Sequence, residues 1–332
     1  MTKRIISLII ILVVLFMLSL LIGRYDLSLK DIFNILIGQN ATDIQKGVFL
    51  NIRLPRTIFV LIAGCALSLS GFIYQAIFRN PLASGDILGV SSGAAVGAII
   101  GILFFNSSPW AIQILAFVFG IIVVLIAICL TKFMKGSKLY NLVISGIILG
   151  ALCNGVIMYL KYIADPQRQL ASIDYWLMGS FHSVVWLDVI SMCCIVIPAL
   201  VILLILHKQI SILTLSDDEA TSLGVNVKYM RFFIIILSTL IICCIVSIVG
   251  IISWIGLIVP HLARVFFKGS FKQTLIYSIL MGGIILLAAD LVCKSISQTE
   301  VPISVLTSVL GALALIVFMI KRRIVCQLKS VI

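Results

Sequence analysis

Ten long apolar runs, separated by short polar segments, constrain this chain more than any other feature of its sequence. Each approaches the roughly 20 residues that an α-helix needs to cross a bilayer. The candidate spans are 5–23, 57–78, 87–105, 109–131, 139–163, 187–206, 230–247, 249–267, 274–293 and 302–320. Hydrophobic residues make up 62% of the 332 residues and charged residues 11%, which excludes a soluble enzyme. We expect an all-α polytopic membrane protein with about ten transmembrane helices, forming one domain over residues 1–332.

The net charge of +12 is interpreted first as a signal of membrane orientation. With the N-terminus placed in the cytoplasm, sixteen of the 24 Lys and Arg residues fall on the cytoplasmic side, but only four of the 12 acidic residues do. The whole net charge then lies on that side, so the positive-inside rule predicts that both termini are cytoplasmic. The lipid bilayer is the expected environment, and no nucleic-acid partner is expected.

Residues that carry out chemistry are sparse in this sequence. None of the nine cysteines belongs to a C-x-x-C pair, and most lie in apolar runs, so neither a metal site nor a cofactor is predicted. The chain lacks a G-x-x-x-x-G-K-[ST] nucleotide-binding loop. Asp290 is the charged residue nearest to the interior of a predicted span, which argues against an ion-driven carrier with a mid-membrane relay. Active transport would therefore need energy from another subunit.

Two polar segments border the second predicted span. Before it, Arg53-Leu54-Pro55-Arg56 places two guanidinium groups around a proline, which predicts a rigid, exposed cationic corner. Interfacial anchoring of the arginines is the alternative. After it, a polar loop within residues 75–95 leads into a helix of small and hydroxylated residues, and Gly97 and Gly101 continue a face that allows close helix packing. The alternative is an ordinary tight loop.

Residues 213–225 predict a short helix of about two turns outside the bilayer. Ser216 and Glu219 form a capping box, Asp217 suits the positive end of a helix, and Gly224 is a natural C-terminal stop. An ordered helix in this position indicates a docking surface, and a solvated connector is the alternative.

The last unusual segment is 250–264. Pro260 removes a backbone hydrogen bond and Gly256 loosens the same helix, so a kink or break is expected there. His261 directly follows the proline. It could act as a ligand or a proton carrier, and a structural, hydrogen-bonded histidine is the alternative.

Taken in order, these segments resemble the FecCD-type permeases, the membrane subunits of ATP-binding-cassette (ABC) importers for ferric siderophores, haem and vitamin B12. The resemblance covers nearly the whole chain and implies the vitamin B12-type permease fold. The matching residues are Arg53–Arg56, Gly64–Gly71 with Gln75, Asn80–Ala83, Leu88–Ala94, Trp176–Ser180, Leu223–Val225, Gly256–His261 with Arg264, Ala289-Asp290, and Glu300 with Pro302.

Three positions depart from the family pattern. Trp254-Ile255 replaces the usual Phe, Ser304 a glycine, and Lys294 an arginine, and lysine loses bidentate carboxylate binding.

The resemblance implies a role for each segment. Arg53, Arg56 and Lys294 would dock an extracytoplasmic substrate-binding protein, and Asn80 and Leu82 would narrow the cytoplasmic gate. A dimer of cytoplasmic ABC ATPases would grip a coupling helix that includes Asp217, Asp218, Glu219, Ala220, Leu223 and Gly224. Gly256, Pro260 and His261 would be structural. A second permease subunit, identical or paralogous, would complete the pathway.

The implied function is import into the bacterial cytoplasm by ATP-driven alternating access, with hydrolysis on a separate subunit. The chain is then a multi-pass transport subunit and not an enzyme. A ferric siderophore is the expected cargo, and haem and cobalamin are alternatives within the family. Two other classes stay open. One is an ion-coupled secondary transporter, and the other is a membrane enzyme that uses His182 or His261.

Overall fold

The computed structural model describes residues 2–38, 42–267, 269–296 and 300–329, with side chains up to residue 316. All regular secondary structure in these residues is helical. A π-helix (Gly47–Arg53) precedes the fourth α-helix and a 3₁₀-helix (Gly85–Leu88) precedes the fifth. The α-helices are α1 (Thr2–Leu21), α2 (Leu29–Ile37), α3 (Asp43–Lys46), α4 (Leu54–Ile77), α5 (Val90–Phe104), α6 (Pro109–Leu130), α7 (Lys138–Ile163), α8 (Leu170–Met178), α9 (Trp186–Ile205), α10 (His207–Ile212), α11 (Asp217–Ser222), α12 (Val227–Val249), α13 (Ile255–Phe266), α14 (Phe271–Ile296) and α15 (Ile303–Lys329).

A helix lies at each of the ten predicted spans. Within the described residues, seven helical stretches are long and apolar enough to cross a membrane, namely α1, the continuous run from α3 to α4, α6, α7, α9, α12 and α14. The remaining three predicted spans correspond to shorter apolar helices, α5, α13 and Ile303–Ile316 of α15. The predicted all-α polytopic membrane fold is confirmed.

Helix α4 forms the centre of the bundle. It packs against α12, α13 and α14, and most of its residues are buried. In contrast, only a minority of the residues of α1, α6, α7 and α9 are buried, as in helices at the edge of a membrane bundle. Two pairs of hydroxyl groups connect helices in the centre: Ser68 Oγ lies 2.8 Å from Ser278 Oγ, and Tyr74 Oη lies 2.8 Å from Thr239 Oγ1. Polar atoms inside the bundle thus tie neighbouring helices together.

Small residues let two helix pairs approach closely. On α5, a Cβ atom at Gly97 or Gly101 would collide with the backbone of α6, so the predicted packing face is confirmed. On α4, Gly71 lies directly against the carbonyl of Gly256 on α13, and a Cβ atom at Gly71 would overlap it. Gly256 therefore serves a contact between helices.

The sequence predicts a kink or break at Gly256 and Pro260, and the structure shows no break there. Helix α13 begins at Ile255 and continues through Pro260 to Phe266. The apolar run is interrupted earlier, at 250–254, where Gly250 and Trp254 have positive φ values of 77° and 73°. Other irregular segments satisfy this backbone: Ser180 N donates to Val249 O at 2.8 Å, and Ser304 Oγ donates to Ile251 O. Non-helical backbone is tolerated at this depth because protein groups pair with it.

Candidate functional site

The predicted site residues lie at the two ends of α4. Arg53 and Arg56 flank its start, and the loop of residues 79–83, here called the Asn80 loop, follows its end. Helix α4 has 24 residues and is therefore about 36 Å long. The two arginines and the Asn80 loop are thus separated by about the thickness of a membrane. We name these regions the Glu300 end and the Asp217 end, after their principal acidic residues.

At the Glu300 end, Arg56 binds two carboxylates at once. Its Nε and Nη2 donate to Asp290 Oδ1 at 3.1 and 2.8 Å, and its Nη1 donates to both oxygens of Glu300 at 2.9 and 2.8 Å. The side chains of Arg56 and Asp290 are 8% and 1% exposed. A buried charge is stable only when it is paired and hydrogen-bonded, and Arg56 meets both conditions within its own chain.

The other two predicted docking cations are also engaged. Lys294 Nζ lies 2.9 Å from Asp290 Oδ2 and donates to Ser19 Oγ at 3.0 Å. Arg53 Nη1 donates to Leu20 O at 2.8 Å, and Arg53 also bonds the carbonyls of Leu21 and Tyr25. Because α1 ends at Leu21, Arg53 caps the negative C-terminal end of that helix.

The prediction of a rigid, exposed cationic corner is therefore wrong. The helical run continues through Pro55, which lies in the first turn of α4, where a missing N–H group is tolerated. Arg53 and Arg56 are buried. The three cations nevertheless share a cavity of about 350 Å³, which Arg24, His182 and Glu300 also line. The structure thus brings the predicted cations together, and it adds two acidic partners to which the sequence analysis gave no role.

At the Asp217 end, the predicted short helix is confirmed. Glu219 N donates to Ser216 Oγ at 3.2 Å and Ser216 N donates to Glu219 Oε2 at 2.9 Å, which completes the capping box of α11. Gly224 ends the helix with φ +81°, and Val225 N donates to Ala220 O at 3.1 Å. Ala220 is buried, whereas the acidic first turn and Leu223 are exposed.

Two arginines that the sequence analysis did not assign hold Asp217. Arg231 of α12 donates to both oxygens of Asp217, at 2.9 and 3.2 Å, and Arg79 of the Asn80 loop donates to Asp217 Oδ1 at 2.9 Å. The hydrogen bonds and charges of Arg231 and Arg79 lower the pKa of Asp217 from its ordinary value of 3.8, so this carboxylate is ionised at neutral pH. In the sequence, a role for these two arginines could have been inferred because both lie close to the polar ends of predicted spans.

The predicted gate residues lie beside this cluster. Asn80 Oδ1 accepts a hydrogen bond from Leu82 N at 2.9 Å, which shapes the Asn80 loop as an Asx turn. Leu82 is 52% exposed at the tip of the loop. Arg79, the residue before Asn80, has φ +51°, a left-handed conformation that residues other than glycine seldom adopt.

Helix α13 carries the remaining predicted residues. Gln75 Nε2 of α4 donates to Leu257 O at 2.8 Å, so the polar residue at the end of α4 bonds the backbone of α13. Pro260 is buried and His261 is half-buried, on the helix that packs against α4. Arg264 lies over the ring of Phe72, with its guanidinium carbon 5.5 Å from the ring centroid. His182 lines the cavity at the Glu300 end.

Comparisons with known proteins agree with this arrangement. The sequence model of the FecCD transport family matches residues 11–321. The molybdate import system permease protein MolB of Haemophilus influenzae is 36% identical over 326 residues, which cover 96% of each chain. The hemin transport system permease protein HmuU of Yersinia pestis is 35% identical, over 92% of this chain and 91% of that protein. The Fe(3+)-citrate import system permease protein YfmE of Bacillus subtilis is 33% identical, over 91% and 90%.

A solved structure, described as an inward-facing conformation of a metal-chelate type ABC transporter, matches with a TM-score of 0.87 and 35% sequence identity. The match covers 97% of this chain and all of that one. The all-α fold is therefore that of an ABC transporter permease, and the chain is a multi-pass membrane protein. Family, fold and length agree over nearly every residue, and this chain is a member of the FecCD transport family.

Proposed function

We propose that this chain is the membrane-spanning permease subunit of a binding-protein-dependent ABC importer in the bacterial cytoplasmic membrane, with both termini in the cytoplasm. One observation carries the proposal. A cation-lined cavity lies at the Glu300 end of α4, and a capped, exposed helix tied to the Asn80 loop lies at the other end. The excess of Lys and Arg on the Asp217 side favours that side as cytoplasmic. The Glu300 end then receives a substrate-binding protein.

Docking at the Glu300 end proceeds by exchange of carboxylates. Arg56 and Lys294 are neutralised by Asp290 and Glu300, so an acidic residue of the binding protein competes with a resident acid. Glu300 is the displaceable one, because its side chain is 14% exposed, against 1% for Asp290, and it lines the cavity. The bonds from Asp290 would hold Arg56 in place during the exchange.

The test of this exchange is Glu300→Gln, which weakens the resident competitor and leaves Arg56 bonded to Asp290. The affinity of the reconstituted complex for its binding protein should rise by about tenfold, which corresponds to 1.4 kcal/mol. Asp174→Asn is the matched control, because Asp174 pairs with Lys161 at 2.6 Å and does not line the cavity, while its loss changes the net charge equally. An unchanged or lower affinity in Glu300→Gln would count against the exchange.

Reversing the charge of Arg53 and Arg56 is a poorer test. It would place carboxylates against Asp290 and Glu300 and remove the cap of α1, so lost uptake could follow from misfolding alone.

At the Asp217 end, a dimer of ABC ATPases grips α11 from the cytoplasm. The exposed acidic first turn and the exposed Leu223 supply a mixed polar and apolar surface on an ordered helix. A second permease subunit, identical or paralogous, encloses the pathway. Replacing residues 217–223 by a Gly-Ser linker should abolish co-purification of the ATPase and leave membrane insertion intact. Retained co-purification would contradict a role for α11 in binding the ATPase.

The cargo is a metal chelate, with a ferric siderophore as the proposed substrate. Support comes from relatives named for hemin and Fe(3+)-citrate, and from the metal-chelate transporter structure. Haem and cobalamin are alternatives, and the similarity to a molybdate permease adds that oxyanion.

The cargo can be tested by uptake in two strains, one that lacks the gene for this chain and the same strain with the gene restored. Radiolabelled ferric siderophores, haem, cobalamin and molybdate are supplied in turn. Uptake of a ferric siderophore should depend on the chain. Dependence for another of these cargoes alone would reassign the substrate and keep the importer role. If no cargo depends on the chain, the proposed import function is contradicted.

A further inference from the structure

We propose that Asp217 is the positioning residue that links the coupling helix α11 to the Asn80 loop, with Arg231 as the fixed partner of its carboxylate and Arg79 as the moving one. The inference rests on the proposed function and names the residues that would transmit motion of the ATPase to the cytoplasmic gate.

The fixed side of the link is well ordered. Arg231 is buried at the start of α12 and donates to both oxygens of Asp217. Such a bidentate pair fixes the orientation of a carboxylate as well as its position. The oxygen that faces the Asn80 loop, Oδ1, accepts from Arg79 and Arg231 at the same distance of 2.9 Å.

The moving side is the Asn80 loop. Both hydrogen bonds that connect this loop to residues 213–217 are made by Arg79 Nη2, to Asp217 Oδ1 at 2.9 Å and to Leu213 O at 3.5 Å. Arg79 also holds the left-handed backbone conformation, which persists only where surrounding contacts enforce it. Release of Asp217 would remove the ion pair of the Arg79 side chain, which is the shorter of its two hydrogen bonds to residues 213–217.

Space for such movement is present. A cavity of about 250 Å³ lies next to the loop and is lined by Gln75, Thr214 and Arg264 together with loop residues. Because Asn80 directly follows Arg79, a change in the backbone of Arg79 redirects Asn80 and the exposed Leu82. A displacement of α11 can therefore be converted into a change of the gate without any change in the central helices.

The experiment compares variants of the full importer, with its ATPase and binding protein, in proteoliposomes. Asp217→Asn and Arg79→Gln should each lower the amount of cargo transported per ATP hydrolysed by about 5- to 150-fold, the usual range for energetic coupling between sites. ATPase activity and co-purification of the ATPase should stay close to wild type in Arg79→Gln, because Arg79 lies outside the ATPase-binding helix α11. The double variant should be no worse than either single variant, because both remove one interaction. Asp217→Glu, which keeps the charge, should restore much of the loss.

Asp174→Asn is the matched control. Asp174 lies on α8 and pairs with Lys161 at 2.6 Å, so its loss also removes one negative charge and one exposed ion pair, but neither residue belongs to α11 or to the Asn80 loop. Transport per ATP should be unchanged in this variant. An equal loss in Asp174→Asn would mean that the effect does not depend on the contact between α11 and the Asn80 loop, and the link would be refuted.

The remaining outcomes separate the link from the proposed function. Normal transport per ATP in Asp217→Asn and Arg79→Gln, or additive losses in the double variant, would overturn the link and leave the importer role intact. A wild-type complex that neither hydrolyses ATP nor moves any cargo would instead overturn the proposed function.

Discussion

At the scale of single residues, Asp290 is an acid that compensates two buried cations at once. It is fully buried and compensates two buried cations, Arg56 through Oδ1 and Lys294 through Oδ2. With Glu300 the cluster has two positive and two negative charges, so it is neutral as a unit. A buried acid that is balanced in this way joins α14 to α4 and serves the structure.

Replacing Asp290 by Asn should therefore destabilise the protein strongly. The change keeps the shape of the side chain and removes the charge that Arg56 and Lys294 share, and breaking a buried ion pair on one side costs about 3 to 5 kcal/mol. Thermal unfolding in detergent micelles should show a clearly lower midpoint for Asp290→Asn and an unchanged midpoint for the exposed control Asp218→Asn. A wild-type midpoint in Asp290→Asn would contradict the assigned role.

At the scale of helices, the contact between α4 and α13 connects both ends of the molecule. Gly71 lies against the backbone of Gly256, and one turn further Gln75 bonds Leu257 O. In a membrane, close backbone packing and hydrogen bonds between helices replace much of the hydrophobic driving force that acts in water. The two helices are therefore closely joined, and α4 carries Arg56 at one end and adjoins the Asn80 loop at the other.

Gly71→Ala tests this contact. The added methyl group would overlap the Gly256 carbonyl, which α13 can relieve only by moving away, and overpacking of this kind costs about 1 to 3 kcal/mol. The midpoint of thermal unfolding should fall, and uptake should fall with it. Gly47→Ala is the control, because Gly47 is also helical but has no atom within 4 Å of an added Cβ. Equal behaviour of the two variants would mean that α4 and α13 are not closely packed at this point.

Local signals in the sequence were sufficient for α11 but not for the charge clusters. Ser216, Glu219 and Gly224 specify the ends of α11 through bonds within a few residues, so the helix was predicted correctly. The partners of Arg56, in contrast, lie 234 and 244 residues away in the chain. No pattern of spacing reports such a pairing, and an exposed corner was the wrong expectation. The same is true of Arg79 and Asp217, which are 138 residues apart.

At the scale of the whole molecule, the apolar runs predicted the positions and order of ten apolar helices, of which seven helical stretches in the described residues are long enough to cross a membrane. They could not predict where backbone within a run is irregular. The interruption at 250–254 depends on hydrogen bonds from Ser180 and Ser304, which other parts of the chain supply. The result is a bundle with a cation-lined cavity at one end, an ordered helix at the other and α4 between them.

The most direct test of this account is transport by the purified importer in sealed proteoliposomes, with ATP enclosed together with the ATPase and cargo-loaded binding protein added outside. Accumulation should require both ATP and binding protein, and it should persist when ionophores abolish all ion gradients. Accumulation that follows a proton or sodium gradient in the absence of ATP would contradict the account, because the energy would then enter through the membrane helices themselves.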